Sequence, residues 1–318
     1  VPAYVVASWT NPLHTQGTLE AFRELGSSEK WLRVHHEQEW IDIADPSRLH
    51  DLQRFFDHYL KGADNGWEAT PRVRMSVLDP GGAGDVVDRA EQQWPPARVR
   101  TRTLHLDAGT GGLSEQPPAA EGEIAYRGDG LTASVRFSFV ADRETEITGY
   151  PALHLWVESD EADDLDLFAA IYKESAGGRR LHHITLRDPK ARAHVESLAV
   201  DGNLPGMLAY TGPVGRIRAS RRATDPKRST PTEPYLTHAA EELVTPGTPV
   251  LVPLALWPTA MLLHTGERLV VEIAGHPVGP LSGENHPGGR LDVPTRNRGT
   301  HRIRTGGRFD SVLLLPDC

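Results

Sequence analysis

The sequence has a single cysteine, Cys318, its last residue, so no intrachain disulfide can form and nothing marks a stapled, secreted scaffold. A reducing, cytoplasmic setting is the default expectation. Positive charge is also short: 34 Lys and Arg stand against 43 Asp and Glu, a net −9 that repels phosphate backbones and anionic lipid surfaces. Nucleic acid and membrane are therefore not expected partners. No run approaches the ~18 apolar residues that would span a bilayer, the N-terminus lacks a signal-peptide pattern, and no segment repeats at a fixed period. In their place are 30 Gly and 25 Pro, scattered as turn punctuation in a way that favours a β-rich fold. At 318 residues the chain has room for about two domains, or one large β domain with something attached.

Residues 1–75 read differently from the rest. VPAYVVASW is a short apolar run of the kind buried on both faces of a parallel sheet, and it stops at Asn11-Pro12. LEAFRELG, with Leu19, Phe22 and Leu25 at helical spacing, ends at Gly26. KWLRVHH predicts a second strand. SRLHDLQRFFDHYLKG carries a helical apolar stripe that starts beside Pro46 and stops at Gly62, and VRMSVLD predicts a third strand. Strand, helix, strand, helix, strand is the alternation of a parallel α/β sheet. Two or three strands are too few for an open sheet covered on both faces, and Val1 opens inside a strand-like run, so the expectation is part of a longer polypeptide.

Residues 76–97, rich in Pro and Gly, read as a linker. From 98 to 318 helical periodicity fades and short β-type runs take over: VRTRTLHL, TASVRFSF, PALHLWVE, LDLFAAIYK, RIRAS, PVLVPLAL, RLVVEIA, HRIRT and SVLLL. These predict a β-sandwich of jelly-roll type.

Five ordered segments carry a family resemblance. TGYPALHLWVESDEADDLDLFAAIYK, GRIRASRRATDPKRSTPTEP, VPLALWPTAMLLHTGERLVVEIAGH and HRIRTGGRFDSVLLLP look like the C-terminal domain of the CocE/NonD hydrolases, the cocaine-esterase and X-prolyl dipeptidyl-peptidase family. RFFDHYLKGADNGWEATPRVRMSVLDPGG resembles the last helix and exit of that family's catalytic domain. The resemblance implies a mainly β fold, a galactose-binding-like jelly-roll β-sandwich preceded by the last strands and helices of an α/β-hydrolase domain.

The resemblance also implies a serine nucleophile on a strand-to-helix elbow, followed in chain order by an acid and a histidine. No Gly-x-Ser-x-Gly occurs. Ser282 in GPLSGEN comes closest and lacks both glycines, which puts the nucleophile on a missing N-terminal hydrolase portion or a companion chain. The family's acid ends a Trp-Tyr-Asp type motif. The match here, Ser8-Trp9-Thr10-Asn11, ends on an amide, which can orient an imidazole but cannot stabilise the imidazolium as an anion does; that exchange costs a serine triad about 10⁴ in rate. The base normally follows Gly-Pro-Trp-x-His. LRVHHEQEW has no such string, so His35 or His36 is the candidate base from the strand end, while ungapped alignment sets Glu39 at that place.

Other features read as structure. Asp160, Asp163, Asp164 and Asp166 lack the loop Gly and closing Glu of a calcium loop, and the basic cluster from Arg216 to Arg228 reads as partner to the acidic excess. His35, His36 and Glu39 are too few for zinc, the His182-His183 pair reads as a strand end, and no cofactor motif is present. Three functional readings stand: part of a serine hydrolase acting on a small ester, amide or X-prolyl substrate, a carbohydrate- or partner-binding module, or a relative with a degenerate triad. Assembly into a homo-oligomer stays open.

Overall fold

The computed structural model describes all residues except 12, 83, 200–207 and 279–293. Two compact units result, one of residues 1–99 and 182–210, the other of 100–181 and 211–318.

The first unit opens with strand β1 (Ala3–Ser8), helix α1 (Thr15–Glu24), strand β2 (Lys30–His35), the short helix α2 (Glu39–Ile43), helix α3 (Pro46–Lys61) and strands β3 (Val73–Val77) and β4 (Val86–Glu91). The sheet order is β1-β2-β3-β4, parallel across the first three and antiparallel at the last pair. Helix α3 has the boundaries its sequence predicts. Asp45 caps it by accepting from the Ser47 N–H at 2.8 Å, Pro46 tolerates the first turn, and Gly62 closes it in the left-handed conformation at φ 65°. Its Phe55 joins Trp31 and Trp67 in a buried aromatic cluster against which Tyr4 and Tyr59 pack. Ring centroids 5.2–5.5 Å apart at steep angles suit edge-to-face contact.

The expected linker is more ordered than its composition suggests. Residues 86–91 form β4, which pairs with β3 across a register shift between Met75 and Val77. VVDRAE escaped notice because an exposed edge strand needs no buried stripe.

The second unit begins with β5 (Arg100–Asp107), β6 (Gly112–Ser114), β7 (Gly122–Arg127), β8 (Ser134–Val140), β9 (Thr145–Gly149), β10 (Ala152–Ser159) and β11 (Asp166–Glu174). The chain then contributes β12 (His183–Ile184), α4 (Pro189–Ala199) and β13 (Ala209–Tyr210) to the first unit. It returns for β14 (Val214–Arg218), β15 (Val250–Ala255), β16 (Thr259–Leu263), β17 (Arg268–Ala274), β18 (Thr300–Thr305) and β19 (Val312–Asp317). The thirteen strands of the second unit run β14-β11-β17-β8-β6-β5-β19-β10-β18-β7, with β15 on β10 and β9 between β16 and β19. Nearly all pairings are antiparallel, and the fold is the mainly β sandwich expected. Its first strand pairs with its last, Leu104 opposite Leu313, so the sandwich is closed by its own termini.

Residues 182–210 therefore leave the sandwich span in which the sequence places them. Among the described residues β12 and β13 pair only with each other, and Ile184, Val195 and Ala209 form a small core of their own.

Close backbone approach sets a local requirement at Gly212. It sits at φ +150°, and a Cβ there would lie 1.8 Å from the Ile171 carbonyl oxygen, whereas a Cβ on Gly26 meets nothing within 4 Å. Gly212→Ala is expected to lower the unfolding midpoint by several degrees, with Gly26→Ala within about one degree of the parent, in thermal melts.

Candidate active-site edge

The carboxyl ends of β1, β2 and β3 lie along one edge of the sheet, where open α/β sheets carry their chemistry. Here Ser8 stands opposite His35, and consecutive carbonyls after β2 are each tied down. The His35 carbonyl accepts from the Trp9 N–H at 3.0 Å. The His36 carbonyl faces His183 Nε2 at 2.8 Å. The Glu37 carbonyl accepts from the hydroxyls of Ser8 at 2.5 Å and Thr10 at 3.2 Å. The Trp9 indole donates to the Ser76 carbonyl at 2.6 Å, joining the β1 end to β3.

The His35 ring is buried on the face that also carries Arg33. Arg33 lies in the middle of an apolar strand, and a buried guanidinium needs a counter-charge. Asp42 of α2 supplies it through two hydrogen bonds, from Nη1 at 2.8 Å and from Nη2. The same carboxylate lies 3.7 Å from His35 Nε2, and Arg48 approaches it at 3.7 Å. Burial pushes the Asp42 carboxyl up, but the Arg33 hydrogen bonds and the neighbouring His35 and Arg48 outweigh this, so it titrates below its ordinary value. Burial also lowers His35, to about 4, against the opposing pull of Asp42. The imidazole is thus neutral at pH 7, and its other nitrogen, Nδ1, is buried without a hydrogen-bond partner. A cavity of about 230 Å³ is lined by His35 together with Tyr4, Arg33, Asp42, Arg48 and Leu52.

His36 is half-buried. Its Nδ1 lies 3.3 Å from Ser76 Oγ and its ring meets His183 edge to face. Burial lowers it, while Asp85 and Glu37 pull the other way.

Asn11 is engaged differently from its candidate role. Its side-chain oxygen accepts from the backbone N–H of Leu13 at 2.7 Å and of His14 at 3.1 Å, an Asx turn leading into α1. The structure therefore brings His35 and His36 to one edge and spends the Asn11 oxygen on its own turn. Asp42 was missed in the sequence. The available signal was Arg33, a charge inside a strand otherwise buried, which required an acid nearby.

His183 is more than a strand end. Its Nδ1 lies 3.3 Å from Asp85 Oδ1. Burial raises Asp85, and the His183 hydrogen bond and charge overcome it, leaving the carboxyl below its usual value.

Elsewhere the acidic and basic runs meet at Arg218 and Asp166, and other charges of theirs find partners outside the two runs. Asp164 accepts from Leu165 N, Ser220 N, Ser220 Oγ and Arg296, and Asp166 from both arms of Arg218. Among the described residues no group of three His, Cys, Asp or Glu is arranged to hold a metal. Ser282 lies outside the described residues.

Residues 65–314 match the family model of the X-Pro dipeptidyl-peptidase C-terminal non-catalytic domain. Asn11, His35, His36 and Asp42 fall outside that span. Among solved structures, a CocE/NonD family hydrolase from Staphylococcus aureus is 28% identical with a TM-score of 0.88, covering 100% of this chain and 54% of its own. An α-amino acid ester hydrolase, at 17% identity and TM-score 0.61, covers 100% of this chain and 56% of its own. An aminopeptidase from a marine sediment Thaumarchaeota archaeon, at 14% identity and TM-score 0.66, covers 100% and 55%. These last two show a shared fold. No curated protein matches. The chain spans about 54% of the length of the S. aureus hydrolase, with the resemblance reaching past the matched domain to Val1. The chain belongs to the X-Pro dipeptidyl-peptidase C-terminal domain family and is of the CocE/NonD type.

Proposed function

We propose that the protein carrying this chain is a hydrolase that cleaves ester, amide or X-prolyl peptide bonds by acyl transfer, with His35 as general base and Asp42 as the carboxylate behind it. The observation that carries this reading is the His35 ring: neutral, backed by Asp42 on one nitrogen, unpartnered on the other, at the carboxyl end of a buried parallel strand. The nucleophilic serine belongs to a portion outside these 318 residues. Its hydroxyl would attack the substrate carbonyl, pass its proton to the free ring nitrogen, and leave an imidazolium that Asp42 stabilises and that protonates the leaving group. Water then repeats the sequence to release the acid.

The state of the sheet supports a missing portion. β1 pairs only with β2 among the described residues, and Val6 on it is 39% exposed. Ile43 and Leu49 of the neighbouring helices, which line a cavity together with Val6, are also exposed, whereas parallel sheets are covered on both faces. Further strands of the hydrolase sheet beside β1 would bury this surface. The sandwich acts without chemistry of its own, in keeping with the description of the domain it matches.

In the full-length protein, His35→Ala is expected to lower kcat/KM on an activated ester by about 10²–10⁴, the usual worth of a general base. Because the active form is the neutral ring and burial holds it near 4, the acid limb of kcat/KM should fall as pH drops toward about 4, well below the ordinary histidine value. An inflection near 6.5 retained in His35→Ala would transfer the role to another group.

Asn11→Asp retains an acceptor for both backbone N–H groups, so kcat should stay within about threefold of the parent, while Asn11→Ala should cost about 1 kcal/mol of stability in urea unfolding. A tenfold gain in kcat for Asn11→Asp would restore Asn11 as the orienting position.

Fluorophosphonate treatment of the full-length protein should label a serine outside residues 1–318, with no ester turnover by the 318-residue chain alone. Turnover by this chain by itself overturns the assignment.

A further inference from the structure

The segment 182–210 interrupts the sandwich in sequence yet belongs to the α/β unit. It folds on itself, with Thr185 N donating to the Leu208 carbonyl at 3.0 Å and α4 packed through Val195 against Ile184 and Ala209. It holds the α/β unit at a few points. The Gly81 N–H donates to the His182 carbonyl at 3.1 Å. His183 stands between Asp85 and the His36 carbonyl. Arg187 grips both oxygens of Glu37, through Nε and through Nη2 at 2.6 Å, and reaches Asp45, the cap of α3, through Nη1 at 2.6 Å.

Two of these points fall on the peptide that carries the candidate base. His36 is held by its carbonyl and Glu37 by its buried side chain, while the β1 end holds the carbonyls of His35 and Glu37. We propose that His183 and Arg187 are positioning residues: from an insertion in the domain described as non-catalytic, they fix the His35–Glu37 peptide and thereby aim the His35 imidazole. This rests on the reading of His35 as base. The bonds of His183 and Arg187 fall on the His36 carbonyl and the Glu37 carboxylate, so each acts through the peptide it holds.

The physical case is one of precision. The peptide after β2 leaves the sheet, so beyond His35 no strand ladder fixes it. A displacement of about 1 Å at a reacting group can cost about 10²-fold in rate. Arg187 is suited to the task because its planar fork binds a carboxylate through two donors, which a lysine cannot reproduce. The partners of His183 account for its burial, since one ring nitrogen faces a carboxylate and the other a carbonyl.

The test uses the full-length protein with an activated ester and, in parallel, amide hydrogen exchange over residues 35–38. His183→Ala and Arg187→Ala are each expected to lower kcat by about 10- to 100-fold with KM within about twofold, and to speed exchange in that peptide by at least tenfold. His183→Gln, which keeps a side-chain N–H for the His36 carbonyl, should recover most of the lost kcat, and Arg187→Lys should not. Arg192→Ala, on the exposed side of α4, should behave as the parent. A parental kcat in both alanine variants overturns the proposal, as does a loss confined to KM or unchanged exchange in residues 35–38. A parent with neither turnover nor a labelled serine defeats the reading of His35 as base, and the exchange experiment then decides by itself whether His183 and Arg187 hold this peptide.

Discussion

The α/β unit depends on one buried ion pair, Arg33 with Asp42. A guanidinium in the central strand of a parallel sheet is costly to desolvate, and removal of one partner of such a pair typically costs about 3–5 kcal/mol. The pair does more than cancel charge. Helix α2 has only five residues, too few to stand by propensity, so its place is set by what holds Asp42. Through Asp42 the pair also places a carboxylate beside His35 and within reach of Arg48, which bonds Asp88 at 2.5 Å. A second set runs alongside: Tyr4 donates to Asp51 at 2.6 Å, Arg74 reaches both, and Arg33 Nε meets the Tyr4 hydroxyl at 3.2 Å. These polar groups lie against the aromatic cluster, so a network costly to leave half-satisfied sits where packing is rigid. That combination suits a site whose geometry must not drift.

The sandwich meets a different constraint, the closure of distant strands. β5 pairs with β19, and β11 lies between β14 and β17, each from the far part of the chain. Every residue of β11 is buried, including Lys173, whose ammonium finds Glu267 at 2.9 Å. A buried lysine is tolerated here because its counter-charge is supplied from the turn before β17. Such pairings cost loop-closure entropy before any contact rewards them, which favours slow folding of this unit.

Legibility in the sequence followed the range of the forces involved. α3 was readable because cap, proline, apolar stripe and terminal glycine all lie within its own residues. The strands β8, β10 and β17 were readable from apolar runs, and the parallel order of β1 to β3 from alternation with helices. β7, β9 and β16 do not stand out among the β-type runs, because strands in a closed sandwich take their stability from partners far along the chain. At the candidate site, His35 and His36 were visible as residue types at a strand end. Asp42 was not, since its role depends on a helix too short to announce itself. His183 was the hardest. Its bond to the His36 carbonyl spans 147 residues, and no local pattern encodes it.

The return of residues 182–210 to the α/β unit bears on why the two units occur in one polypeptide. A domain described as non-catalytic can still shape a neighbouring sheet if part of its sequence folds onto that sheet. Here the element is small, with its own core, and its polar contacts fall on the His36 carbonyl, the Glu37 and Asp85 carboxylates and the cap of α3. The loop after β2 is thereby clasped from the β1 end on one side and from the insertion on the other. A loop held from a single side can pivot, and one held from two sides at successive peptides cannot do so without breaking hydrogen bonds that are partly buried. Residues within the matched domain therefore contribute to the geometry of the loop after β2 through a few side chains, and a description of that loop confined to residues 1–64 would omit His183 and Arg187.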